Sequence, residues 1–307
     1  MRFLVTFFLL GAVCFSQART WQSEDGRQLE ADYISLKDDE VRVRRDSDGQ
    51  IFHIPLQSLS EADRKWVEEQ QTTNGSADTE NDKPALPDEV AEIVESRGSL
   101  VFEDDFNRED PDGEEALGEN WSTNSASRAQ GEKQNDLVDG TLVMTISPKA
   151  DHAISTRHSL SKPVKDLVVS LRMQIPKDGS LKLAYNDREH KEVHAGHING
   201  VTIQPTSLRL DDERTGRFNL KYREDKNSKE AKEAFEKSQK NFPIELKADR
   251  WHEVTTYHNG TTLTVWIDGE EAASFSSPGF GHETKRDFVF AVAKKAIVDD
   301  LRIWEVK

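Results

Sequence analysis

The chain has 307 residues, with 57 Asp or Glu against 41 Lys or Arg, which gives a formal net charge of −16. That balance excludes a binder of nucleic-acid backbone, which needs clustered cations. With 35% apolar residues, 10 Pro and 17 Gly, the chain is neither collagen-like nor wholly disordered, and its length fits about two domains.

Residues 1–18 read as an export signal. Arg2 supplies the positive start, Phe3 to Phe15 is nearly all apolar, and Ser16-Gln17-Ala18 is a small-x-small cleavage site. The apolar run of about 13 residues falls short of the roughly 20 that span a bilayer, so the expectation is cleavage after Ala18 and no integral membrane span. Cys14 offers the alternative of a lipoprotein acylated there, although Val13 stands where such sites take a small residue. Cys14 is also the single cysteine, so the cleaved chain has no disulfide, thiol nucleophile or zinc-thiolate site. An acidic, thiol-free product is expected to be secreted or held in a bacterial periplasm or envelope.

Residues 19–70 alternate apolar and polar positions in three runs, Leu29 to Leu36, Val41 to Arg45 and Ile51 to Leu56, separated by polar turns that include Asp46-Ser-Asp-Gly49. This pattern predicts a short antiparallel meander. A helix over Glu61 to Gln70 follows, with Ser60 as N-cap and Asp63 at the third helical position. The stretch resembles the first Sla homology domain, an SH3-like barrel, through Arg19-Thr20-Trp21, Val41-Arg42-Val43, Ile54-Pro55-Leu56 and Leu59-Ser60-x-x-Asp63. The resemblance implies peptide binding; the plain alternative is a spacer or attachment module, since a fold does not fix a function.

Residues 71–98 are poor in large apolar side chains and carry seven acidic against two basic residues. The segment reads as an acidic, extended, flexible linker with a helical turn near Pro87 to Glu95.

From residue 99 to 307, period-2 runs follow one another, among them Leu167 to Ile175, Leu181 to Tyr185, Leu263 to Ile267 and Phe288 to Val292, punctuated by Asp139-Gly140, Asn259-Gly260 and Asp268-Gly269. The fold class is therefore all-β, with an antiparallel sandwich or jelly roll following the small barrel. One segment, Asp225 to Lys240, reads as a short charged helix inserted between strands. The domain resembles concanavalin A-like lectin/glucanase jelly rolls, including laminin G-like and 3-keto-disaccharide hydrolase-like domains of exported bacterial proteins. Phe102-Glu-Asp-Asp-Phe106, Leu137-Val-Asp-Gly-Thr-Leu142, Trp251-His-Glu-Val254, Leu263-Thr-Val-Trp-Ile-Asp-Gly269 and Val298-Asp-Asp-Leu-Arg-Ile-Trp304 carry the resemblance. It implies a core role for Trp251.

Retaining glucanases of this fold set two Glu on one strand face as Glu-x-Asp-x-x-Glu or Glu-x-Asp-x-Glu, because their chemistry needs the carboxyls about 5–5.5 Å apart. Neither run occurs in residues 99–307, so glucanase activity is not expected. Three other groupings are candidates. His190, His194 and His197, with Asp187 or Glu189, would form a metal site on one helical face, a substrate or catalytic loop, or a solvated polar loop. Asp104, Asp105, Asp299 and Asp300 would come together if the first and last strands pair, making a calcium site, or would pair with Arg108 and Arg302. Trp266 and Trp304, with Asp268 and Arg302, would form a carbohydrate-stacking platform if not buried in the core.

Three functions follow as expectations. The first is an exported two-module protein whose jelly roll binds polysaccharide or glycan without cleaving it. The others are a saccharide hydrolase or lyase using the His190 to His197 loop, and an adaptor that binds a peptide through the small barrel.

Overall fold

This computed structural model describes residues 19–37, 39–45, 51–73, 83–108, 110 and 115–307. The expected export signal, the Asp46 to Gly49 turn and most of the linker before Lys83 lie outside the described residues. The chain divides into two compact units, Met1–Asp82 and Lys83–Lys307.

In the first unit, β1 (Arg19–Gln22), β2 (Gln28–Lys37), β3 (Glu40–Arg45) and β4 (Ile51–Pro55) pair antiparallel in sequence order. After a 3-10 turn over Leu56–Ser58 the chain returns to the first strand through a Ser23–Leu59 bridge, with Glu24 N bonded to Ser58 O and Ser60 N to Gln22 O. These bonds close the meander into a small barrel. Alternation puts Trp21, Ala31, Val41 and Val43 inside, where Leu59 and Val67 meet them. Val67 comes from α1 (Glu61–Thr73), which runs three residues past the expected end. Ser60 caps α1, its Oγ accepting from Asp63 N at 3.2 Å. Asp63 reaches beyond the helix: it accepts from Gln22 N at 2.8 Å and pairs with Arg19 at 2.5 Å. The Arg19 guanidinium in turn lies over the Trp66 ring at 4.3 Å. Arg19, Asp63 and Trp66 thus form a polar-aromatic cluster joining the first strand to the helix.

The second unit is a two-sheet antiparallel sandwich of jelly-roll type, bearing out the fold class read from the sequence. The first sheet runs β17 (Glu270–Ser276), β16 (Thr262–Ile267), β15 (His252–Asn259), β10 (Leu167–Gln174), β19 (Lys295–Val306), β8 (Thr141–Thr145) and β7 (Asn135–Val138), with β5 (Gly98–Asp104) also on β19. The second runs β14 (Gln239–Pro243), β13 (Ser207–Asp211), β12 (His197–Gln204), β11 (Leu181–Asn186), β18 (Lys285–Val292), β9 (Ile154–Val164) and β6 (Trp121–Thr123). Alternate residues such as Val169 and Leu171 on β10, with Leu183, Phe288 and Phe290 opposite, fill the space between the sheets. Two buried polar bridges cross it: Tyr185 Oη to Thr256 Oγ1 at 2.7 Å and His258 Nε2 to Asn199 Oδ1 at 2.9 Å. Burial drives the His258 pKa well below the usual imidazole value.

The expected inserted helix is present over Lys229–Lys237, capped by Ser228, between β13 and β14. At the end of the expected linker the helical turn read near Pro87 to Glu95 is present as a longer helix, and the correction is that this segment is packed and not extended. Residues Asp88–Arg97 form α2, whose Val90, Ile93 and Val94, with Leu86, pack on Val168, Tyr257, Trp266, Trp304 and Val306. The helical spacing of those apolar residues supplies a face that the outer side of the first sheet buries.

Candidate functional site

The outer face of the second sheet carries a dense set of charges. On β13, Leu208 and Leu210 point into the core, so Arg209 and Asp211 point outward. Asp212 turns inward and accepts from Thr215 N at 2.9 Å, Ser277 Oγ at 2.5 Å and Gly279 N at 2.7 Å, tying the turn after β13 to the loop before β18. Only glycine fits at 279, because a Cβ there would lie 1.8 Å from Asp212 Oδ1. Glu213 then returns to the outer face.

Glu213 is fully buried and meets Lys182 Nζ at 2.7 Å, Arg217 Nη2 at 2.9 Å and His197 Nδ1 at 3.4 Å. The same Arg217 Nη2 lies 3.1 Å from Asp211 Oδ2, which Arg209 Nε also approaches at 3.1 Å. Burial opposes the Glu213 charge, yet Lys182 and then His197 outweigh it and hold its pKa well below the usual carboxylate range. At Asp211 burial wins over Arg217, and the pKa rises. The Lys182 stem lies across Gly200, where a Cβ would come 2.7 Å from Lys182 Cε. Beside the network the half-buried Phe218 ring is flanked by His197 at 4.1 Å, His194 at 6.4 Å and the Arg217 guanidinium at 5.1 Å.

No family model matches the chain, and no curated protein matches it. Among solved structures, the chain is similar to a non-specific endo-beta-1,3(4)-glucanase from family GH16, with 13% identity and a TM-score of 0.48 over 78% of this chain and 99% of that one. An endo-beta-1,3-glucanase from Pyrococcus furiosus is similar at 12% identity and a TM-score of 0.44, covering 73% and 98%. A laminarinase from Flavobacterium sp. UMI-01 is similar at 12% and 0.45, covering 67% and 100%.

Of the residues expected from sequence, His194 and His197 share this site through Phe218, while His190 leaves it. The His190 ring packs on His282 at 4.8 Å, and His282 Nε2 bonds to buried Asp187 at 2.9 Å. Glu189 is exposed and paired with Arg286. The three histidines therefore split between two neighbourhoods. Among the described residues no group of three or more His, Cys, Asp or Glu side chains is arranged to hold a metal ion.

The calcium expectation is corrected on the same ground. β5 and β19 do pair, with Asp104 opposite Leu301, but arginines take the carboxylates. Asp104 forms a two-oxygen pair with Arg108 at 2.6 and 2.9 Å and accepts from Trp121 Nε1, while Asp105 is an exposed turn residue. Arg172 lies 2.5 Å from Asp299 and 2.8 Å from Asp300. The stacking platform is also corrected. Trp266 and Trp304 face outward as their strand positions dictate, but α2 covers them to 5% and 9% exposure. Asp268 holds His252 at a turn, and Arg302 donates to Pro84 O. Trp251, expected in the core, precedes β15 and is 41% exposed under the Arg172 guanidinium.

The residues missed by sequence reasoning are Lys182, Arg209, Asp211, Glu213 and Arg217. The available signal was Arg209-x-Asp211-x-Glu213 ending an alternating strand, which departs from Glu-x-Asp-x-Glu only at its first position.

Proposed function

We propose that the sandwich unit of an exported protein binds saccharide on the outer face of its second sheet without cleaving it. The observation that carries this reading is the Phe218 ring, bordered by His197, His194 and Arg217 beside forked and planar hydrogen-bonding groups. Sugar rings are held by an aromatic face combined with a few directed polar contacts. The test applies the full chain to a panel of polysaccharides and assays released sugar in the same samples. Retention without release is expected, weakened about three- to tenfold by Phe218→Ala. Failure to retain any polysaccharide overturns the reading.

A specific observation favours cleavage as the second reading. The shared Arg217 nitrogen keeps the facing oxygens of Asp211 and Glu213 no more than about 6 Å apart, near the about 5–5.5 Å of retaining glycosidases. Their surroundings also push the two pKa values in opposite directions, which suits Asp211 to an acid role beside a permanently charged Glu213. The burial of both carboxylates, Asp211 at 2% and Glu213 at 0% exposure, weighs against it. Sugar release that disappears in Asp211→Asn would establish hydrolysis.

For the first unit, peptide binding in the manner of the Sla homology domain it resembles is supported by a groove of 470 Å³ lined by Trp21, Leu29, His53, Ile54, Pro55 and Leu59, among others. Peptide display against the full chain, with His53→Ala as the variant, tests it; capture of no peptide leaves a spacer.

A further inference from the structure

We infer that the saccharide taken by the second sheet's outer face is anionic, bearing carboxylate or sulfate groups; this rests on the saccharide-binding reading above.

Charge on this face is layered by depth. The carboxylates Asp211, Glu213 and Asp287 have side chains 3%, 0% and 7% exposed. The cations paired with them reach outward: Arg209 at 32%, Arg217 at 39%, Lys182 at 14%, Arg157 at 21% and Arg188 at 60%. Five cations thus stand above three anions, and a solute meets the cations first. Long side chains make this possible, because Lys and Arg stems cover buried groups while the charged head stays in water.

The cations offer donors through the outer parts of their side chains, which are 60% exposed for Arg188, 39% for Arg217 and 32% for Arg209, whereas the carboxylates beneath them are at most 7% exposed. Arg157 and Arg188 approach Asp287 only at 3.9 and 3.7 Å, so that carboxylate does not saturate either guanidinium. Guanidinium forks match carboxylate and sulfate oxygens.

The geometry suits a chain rather than a single ion. Arg157 on β9 and Arg209 on β13 are separated by β18, β11 and β12, a span of about 19 Å at roughly 4.8 Å per strand. Phe218 lies beside the Arg209 end. An exposed carboxylate, Glu189 on the adjoining loop, is neutralised by Arg286 at 2.7 Å. Five partly compensated cations in a chain of net charge −16 are too few for counterion-driven nucleic-acid binding.

The experiment titrates the full chain with dextran, dextran sulfate, hydroxyethylcellulose and carboxymethylcellulose at low and high salt. At low salt at least one charged polymer is expected to bind about tenfold or more tighter than its neutral parent, with the preference shrinking at high salt. Arg188→Gln and Arg209→Gln are each expected to weaken that binding about three- to tenfold. Lys229→Gln, on the exposed inserted helix, leaves it unchanged. Arg188 is the safer variant for folding, since its nearest carboxylate is 3.7 Å away. The sulfate and carboxymethyl arms identify which anion is preferred. If neutral polymers bind as tightly and Phe218→Ala weakens them, the saccharide reading stands and this inference falls. If no polymer binds, both fall. If duplex DNA displaces dextran sulfate at equal charge concentration, the face is a general polyanion binder and the inference is overturned.

Discussion

The indole nitrogen of Trp266 donates to Glu89 Oε1 at 3.1 Å, joining a strand of the sandwich to a helix 177 residues earlier. The contact marks α2 as part of the sandwich unit, because its partners Val90, Ile93 and Val94 cover the same indole and Trp304.

Substituting Val90→Asp tests this docking. Val90 is wholly buried among apolar side chains, where a carboxylate would lose its water, so a loss of about 3 kcal/mol or more is expected in urea denaturation. A wild-type midpoint would show that α2 does not need its apolar face covered. Saccharide binding by the folded fraction is expected to persist, because the proposed site lies on the other sheet.

In the small barrel, the Arg19–Asp63 pair makes a second prediction. Burial opposes the Asp63 charge, but hydrogen bonds from Arg19, Gln22 and Ser60 win and lower its pKa from 3.8. A lowered carboxylate pKa stabilises the fold above its unfolded value, and the benefit is lost as pH falls through the folded value. Asp63→Ala is expected to cost about 2–3 kcal/mol at neutral pH, and less below about pH 4. Amide hydrogen exchange along α1 at the two pH values reads both effects.

Asp299 should behave in the opposite sense. Burial first, and then its neighbour Asp300, raise its pKa from 3.8 to about 6 despite Arg172. The folded state holds the proton more tightly, so stability falls as pH rises from 3.8 to 6 and stays reduced above that. Asp299→Asn is expected to gain about 1–3 kcal/mol on wild type between pH 4 and 7, measured by denaturation at both. A constant difference across that range contradicts it.

Lys285 is buried, with Nζ donating to Lys165 O and His282 O, and burial lowers its pKa from 10.5 to about 7. Between those values the unfolded chain binds the proton and the fold does not, so stability rises with pH. Lys285→Met should flatten that rise by about 2–4 kcal/mol between pH 7 and 10. Thermal unfolding across the range measures the slope, and an unchanged slope would place the charge elsewhere.

The strands were legible because their partners enforce period 2. Leu167 to Ile175 shows it: its inward residues meet the opposite sheet, and Val168 on the other face packs under α2. The helix was read only as a turn near Pro87 to Glu95, inside a linker expected to be extended, because Val90, Ile93 and Val94 are diluted by Asp88, Glu89, Glu92 and Glu95. The sequence left Trp266 and Trp304 open between a stacking platform and burial, and they are buried under α2, because strand parity does not reveal what covers a face. Trp251 escaped the core because strand pairing begins one residue later, at His252. The candidate site was illegible as a whole, since β9, β11, β13 and β18 each supply one or two of its charges and only their lateral order brings them together.

The strand β19 holds β10 along one side and both β8 and β5 along the other. A growing chain that has reached only residue 294 therefore has three separate strand edges facing an empty slot in the first sheet. Until the Lys295–Val306 segment is available to fill it, those edges are open to pairing with another chain. Completion of the first sheet thus waits on the Lys295–Val306 segment, and a molecule truncated before it exposes those edges to aggregation.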